Sequence, residues 1–210
     1  LCLLRKTDSM ILRKSTQGST LAELAVYMGL AVVILATTVT MHKLGKQFAR
    51  ASTVQNDLTV STALSFQKLQ RVLIESDETG VQSTSRILAV HRPDGANSEG
   101  EKSWSLEVDF FWHDPETRRL LTGRLPAATF PSEPGKAVSL DEALMTNAVS
   151  EIIAHGKSRP LTNDVEHFEV IRTNARALTV KMKASREAYP GKIMVTEREE
   201  TFLLLNKGDT

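Results

Sequence analysis

From Leu24 to Met41 the chain reads LAVYMGLAVVILATTVTM, eighteen residues without a charge. At a rise of 1.5 Å per residue this makes a helix of about 27 Å, close to the hydrocarbon thickness of a bilayer. A secretory signal has a shorter apolar region, about 7–15 residues, and ends at small residues in an A-x-A-like site. No such site stands between Thr37 and Gly45. The run is therefore expected to span a membrane, over about residues 21–41, rather than to fill a soluble core.

Charge is unevenly placed around this run. Arg5, Lys6, Arg13 and Lys14 against Asp8 give the first eighteen residues a net +3, leaving about −2 for the rest of a chain whose total is +1. A basic start before an apolar run is the pattern of an exported or membrane-inserted protein. The overall balance, 26 Lys+Arg against 25 Asp+Glu, gives no case for nucleic acid or an acidic substrate. Cys2 is the only cysteine, which excludes an intrachain disulfide. A domain of well over 100 residues can be held by its core alone.

The apolar run turns amphipathic without a break. Phe48, Ala51, Leu58, Phe66, Leu69 and Leu73 recur at spacings near three and four or their multiples, with Lys46, Arg50, Asp57, Lys68 and Arg71 between them. No proline precedes Pro93. Gly29 and Gly45 are soft points only, each costing roughly 1 kcal/mol against alanine. The expectation is one helix over residues 19–73, apolar first and amphipathic afterwards, with its second half lying on a domain formed by residues 74–210.

That domain reads as α+β. Glu75 to Ser85 is a loose polar stretch, after which short strand patterns alternate with turn signals. RILAV (Arg86–Val90) stops at a turn through Pro93-Asp94-Gly95. Ser103–Trp112 alternates apolar and polar residues up to Asp114-Pro115, and pairs with Arg118–Leu125 as a hairpin. A loop from Pro126 to Gly135 leads to a second helix. Ser139 and Glu142 fit a capping box there, Leu144, Met145, Ala148, Val149, Ile152 and Ile153 line one face, and Gly156 ends it. His167–Thr173, Arg176–Lys183 and Lys192–Leu205 supply three more strands, with Asn174-Ala175 as the first turn. The fold expected is an antiparallel sheet packed on the long helix, with one further helix.

The residues with most to say about function stand at the head of the apolar run, in RKSTQGSTLAELAVYMGLAVVIL. A basic pair, Arg13-Lys14, and Gly18 are followed by Glu23. A carboxylate at mid-bilayer costs on the order of 2.5–3.5 kcal/mol by insertion scales, and less near the edge. No basic residue follows before His42, so a neighbouring chain is the natural source of a partner.

This string resembles the prepilin signature of type IV pilins and type II secretion pseudopilins, whose usual form is G-F-T-L-I-E-L. Gly18, Thr20, Leu21, Glu23 and Leu24 match it; Ser19 and Ala22 depart from it. The resemblance implies a type IV pilin-like fold with no cofactor. It also implies a leader over residues 1–18, cut by a prepilin peptidase between Gly18 and Ser19, and N-methylation of Ser19. Glu23 would neutralise the terminal amine of an adjacent subunit as the apolar helices bundle. The implied partners are other pilins or pseudopilins, the peptidase, an inner-membrane assembly platform and the bilayer. The implied location is the bacterial inner membrane, crossed once, with the following domain in the periplasm. Met10 offers a start that gives MILRKSTQG, a short basic leader of the family's kind, in place of Leu1–Ser9. Lys43, Lys46 and Arg50 beyond the run blur a positive-inside count, so orientation rests on the resemblance. The tail, LTNDVEHFEVI then RALTVKMK then a strand ending LLLN, resembles the J-type minor pseudopilins and W-type minor pilins, as does SWSLEVDFFWHDPETRRLLTGR.

Two functions from different classes follow: a minor filament subunit, or a membrane-tethered binding module that never assembles. Peptidase processing at Gly18–Ser19 distinguishes them. An enzyme is not expected. His42, His91, His113, His155 and His167 show no ligand-like spacing, His113-Asp114 reads as a turn at a strand end, and neither Asp77-Glu78 nor Asp141-Glu142 resembles a calcium loop.

Overall fold

The computed structural model describes residues 16–96, 102–133 and 135–204, with side chains from residue 20 onward. They fall into two units, one ending at Ala49 and the other beginning at Arg50. Helix α1 (Thr16–Ile74) supplies most of the first unit and continues into the second. In the first unit its side chains are almost all exposed, Phe48 among them at 77 %. The expected buried stripe therefore does not begin at Phe48: Ala51 is half-buried, and full burial starts at Leu58.

The second unit is α+β, with two antiparallel sheets where one was expected. The five-stranded sheet has the order β1 (Val81–Ser83), β2 (Ile87–Ala96), β3 (Lys102–Asp114), β4 (Arg119–Pro126) and β5 (Arg159–Asn163). The three-stranded sheet comprises β6 (Val165–Asn174), β7 (Ala177–Tyr189) and β8 (Lys192–Leu203). A single residue between the sheets, Asp164, sits at φ 62°, a left-handed conformation that aspartate tolerates better than most residues. Its carboxylate is held by Arg186 at 2.6 Å, and Ser185 donates its backbone N–H to the Asp164 carbonyl.

Two strands escape the sequence patterns for identifiable reasons. β1 lies within the polar Glu75–Ser85 stretch and contributes one core side chain, Val81. β5 contains Pro160, which argues against a central strand but is acceptable on the sheet edge that β5 occupies. β2 also runs past its expected stop through Pro93 to Ala96, with register shifts on either side of that proline. β1 pairs only with Leu88–Val90, so Pro93 has no ladder to interrupt on that side.

Alternation along β3 sends side chains into two cores. Phe111 joins Phe66, Leu69, Val72 and Leu73 of α1, together with Leu88, Val90, Phe168, Val180, Met182 and Phe202. Val108, Phe110 and Trp112 face the other way, against Phe130, Val138 and helix α2 (Glu142–Ala154). The five-stranded sheet is thus a middle layer, with α1 on one face and α2 on the other.

The start of α2 differs from the capping box expected at Ser139 and Glu142. Asp141 is the N-cap, and its carboxylate accepts the Leu144 N–H at 2.7 Å. An aspartate one residue before the helix satisfies a free N–H directly and adds favourable charge at the positive end of the helix dipole, so no reciprocal glutamate is needed. Gly156 ends the helix at φ 64° as expected. Ile153, expected on the buried face, is 52 % exposed.

Candidate functional site

The residues singled out at the amino-terminal end lie on a single element. Gly18 and Ser19 belong to the backbone of α1, while Thr20, Leu21, Glu23 and Leu24 follow as exposed side chains. Glu23 meets no cation among the described residues. Cys2, Met10, the Arg13-Lys14 pair, the rest of the expected leader up to Ser15, and Leu205 of the last strand lie outside the described residues.

The apolar run of α1 is long and apolar enough to cross a membrane, and none of its most apolar window is buried within the protein. Its threonine hydroxyls are also provided for. Thr37 and Thr38 both donate to the Ile34 carbonyl, and Thr40 donates to Ala36, each at 2.8 Å. Hydroxyls in hydrocarbon need a partner within reach, and back-bonding to the preceding turn supplies one without a neighbouring helix. Composition marks these threonines only as uncharged; their geometry gives each hydroxyl an acceptor within its own helix.

The second half of α1 is held by polar contacts as well as by its core residues. Gln55 donates to Thr196 Oγ1 at 3.0 Å, and Arg186 lies 3.7 Å from Asp57. Phe66 stacks on Phe202 at 6.3 Å between ring centres, with the Arg198 guanidinium 5.3 Å from the Phe66 ring centre.

Asp77, one of the acidic residues noted in the sequence, is a buried structural group. It accepts the backbone N–H of Thr79 at 2.7 Å and the Thr79 hydroxyl at 2.5 Å, and pairs with Lys102. Burial pushes its pKa up, but the Lys102 and Thr79 hydrogen bonds outweigh burial and hold it below the usual carboxylate value. Its neighbour Gly80 packs so closely that a Cβ there would lie 2.1 Å from the His91 carbonyl oxygen.

His91 is a buried clasp. Its Nδ1 accepts the Val138 N–H at 3.1 Å, so the ring proton sits on Nε2 and is donated to the Ser105 carbonyl at 2.8 Å. Burial lowers its pKa, opposed by the Ser105 bond. His113 likewise donates Nε2–H to the Val165 carbonyl at 3.1 Å, while Asp114 accepts from Thr117 at 2.6 Å and from the Glu116 N–H at 3.1 Å. Those contacts place His113-Asp114 at the end of β3, leading into the turn over residues 115–118. No cluster of three His, Cys, Asp or Glu able to hold a metal occurs among the described residues.

A polar groove of about 570 Å³ lies between α1 and the β3–β4 pair, and sequence reasoning did not find it. Lys68, Arg124, Lys157, Arg159, Glu107 and Asp109 supply its charges. Asp109 is buried beneath Arg124 at 2.6 Å and Arg92 at 3.1 Å. The alternation of SLEVDFFW marks Asp109 as outward-facing on a two-layer reading. Only the presence of helices on both faces of the sheet reveals it as buried.

No family model, curated protein or solved structure matches this chain. The class its fold defines is an α+β protein carrying one long apolar N-terminal helix, a possible membrane span, and antiparallel sheets.

Proposed function

We propose that this chain is a minor pseudopilin or minor pilin, a structural subunit of a type II secretion pseudopilus or a type IV pilus. The supporting observation is Glu23, a single carboxylate at the head of an exposed apolar helix, without a cation among the described residues. The next acidic residue is Asp57, so no second carboxylate competes along the run.

In this reading a prepilin peptidase cuts between Gly18 and Ser19 and methylates the new amine. The freed chain remains in the inner membrane through residues 21–41, with its α+β unit in the periplasm. During assembly Glu23 meets the terminal amine of a neighbouring subunit. An ion pair formed in a low-dielectric bundle gains strength and removes the cost of a lone charge there, which also fixes axial register. Thr20, Leu21 and Leu24 present the small and apolar surface against which such a neighbour would pack.

Mass spectrometry of the protein made alongside the peptidase tests the processing step. Ser19 should be the first residue, carrying a methyl group; an intact leader would leave a tethered binding module as the better description. Glu23→Ala should remain in the membrane fraction yet fail to enter filaments. Incorporation at the parent level would remove the role given to Glu23.

A further inference from the structure

We propose that the groove between α1 and the β3–β4 pair is a binding site for an extended acidic peptide segment of a partner protein. Its lining lies wholly within the unit that begins at Arg50, so the proposal stands whether or not the chain enters a filament.

Two independent features point to this ligand. The first is charge. Four cations from separate elements converge on the groove: Lys68 on α1, Arg124 on β4, Lys157 in the α2–β5 connection and Arg159 on β5. Both carboxylates in the lining are already engaged by Arg124, Asp109 at 2.6 Å and Glu107 at 3.3 Å, with Arg92 adding a second contact to Asp109. The side chains of Lys68, Lys157 and Arg159 meet no carboxylate among the described residues. Like charges gathered in one cleft leave a positive potential that an anionic ligand relieves.

The second feature is a strand edge that no other strand pairs with. β5 pairs with β4 only from Arg119↔Asn163 to Thr122↔Arg159, whereas β4 continues to Pro126. Gly123, Arg124 and Leu125 therefore have β3 on one side and no strand on the other. A segment entering there would extend the sheet in line with β5, with main-chain bonds giving affinity and alternate side chains giving specificity. Cross-strand partners share a face, so Arg159 opposite Thr122 and Arg124 opposite Asp109 both project to the α1 side. Acidic side chains at every second position of the incoming segment would meet Arg159, Lys68 and Lys157. Between them Val72 and Phe111 give the groove an apolar wall. The volume, about 570 Å³, lies within the range of specific ligand sites.

The test uses the full chain in detergent micelles and a fluorescein-labelled probe, acetyl-Glu-Val-Glu-Val-Glu-amide, followed by anisotropy. Binding should weaken about tenfold in the Lys68→Gln/Lys157→Gln double variant, whose two changes lie at exposed positions, and again toward about 0.3 M salt. The glutamine version of the probe should bind equally weakly. A probe N-methylated along its backbone keeps the charge but cannot add to the sheet, and should lose most of its affinity. Equal binding of the acidic probe by parent and double variant would overturn the site, as would no binding by the parent. Equal binding of the N-methylated probe, or full displacement by inorganic phosphate at matched ionic strength, would overturn the peptide assignment.

Discussion

Phe66→Ala tests whether the second half of α1 is integral to the domain core. Phe66 is 1 % exposed, stacks on Phe202 and carries the Arg198 guanidinium over its ring. Truncating a core phenylalanine costs about 3–5 kcal/mol through lost transfer energy and the cavity left behind. Loss of the aromatic pair adds roughly 0.5–1.5 kcal/mol, and a partly exposed cation–π contact about 0.5–1 kcal/mol. The sum, about 4–7.5 kcal/mol, is comparable with the whole stability of many domains. Phe66→Leu keeps most of the apolar volume and should lose only about 1–2 kcal/mol. Urea unfolding of the full chain in detergent, followed by Trp104 and Trp112 emission, measures both variants. Adding Phe202→Ala to Phe66→Ala should cost less than the two separate losses combined, because the ring pair can be lost only once. A loss below about 1 kcal/mol for Phe66→Ala would refute the placement of α1 in the core.

Three further predictions concern single contacts. Asp77→Asn should lower stability at neutral pH by about 1–3 kcal/mol, because it removes a charged hydrogen-bond network around Lys102. The folded pKa of Asp77 is depressed, so its contribution is present above the ordinary value of 3.8 and is lost as pH falls below it; acid unfolding of the variant should accordingly be less steep. His91 has its pKa lowered by burial, so the neutral clasp is fully stabilising above pH 6.5 and weakens as pH drops below that value. The protection factor of the Val138 amide against hydrogen exchange should fall over the same interval, and in His91→Phe it should be low at every pH. At the start of α2, Asp141→Ala should cost about 1 kcal/mol by urea unfolding while Ser139→Ala costs at most a few tenths, the reverse of what a Ser139 capping box requires.

Local signals served the long helix and the hairpins well. The uncharged run and its helical continuation carry to Ile74, the SWSLEVDFFW hairpin pairs as Asp114↔Arg119, and Asn174 accepts the Arg176 N–H in the turn before β7. What escaped depends on partners distant in sequence. Val81–Ser83 is a strand because β2 lies beside it, and Arg159–Asn163 because β4 does. Division into two sheets turns on the backbone of Asp164, which no periodicity reports. The candidate assembly residues were legible as a contiguous string. The charged groove was not, since Lys68, Arg124 and Arg159 come together only through the fold and look individually like solvated surface charges.

The threonines of the apolar run have a consequence for selectivity. Thr37, Thr38 and Thr40 satisfy their own hydroxyls within the helix, so residues 28–41 ask nothing polar of whatever surrounds them. Lipid tails and the apolar side chains of another helix are then nearly equivalent company, and exchanging one for the other carries little polar penalty. Such a surface is a poor discriminator of depth or partner. On the function proposed above, discrimination falls to the head of the run, where Glu23 would choose among otherwise interchangeable neighbours by its charge.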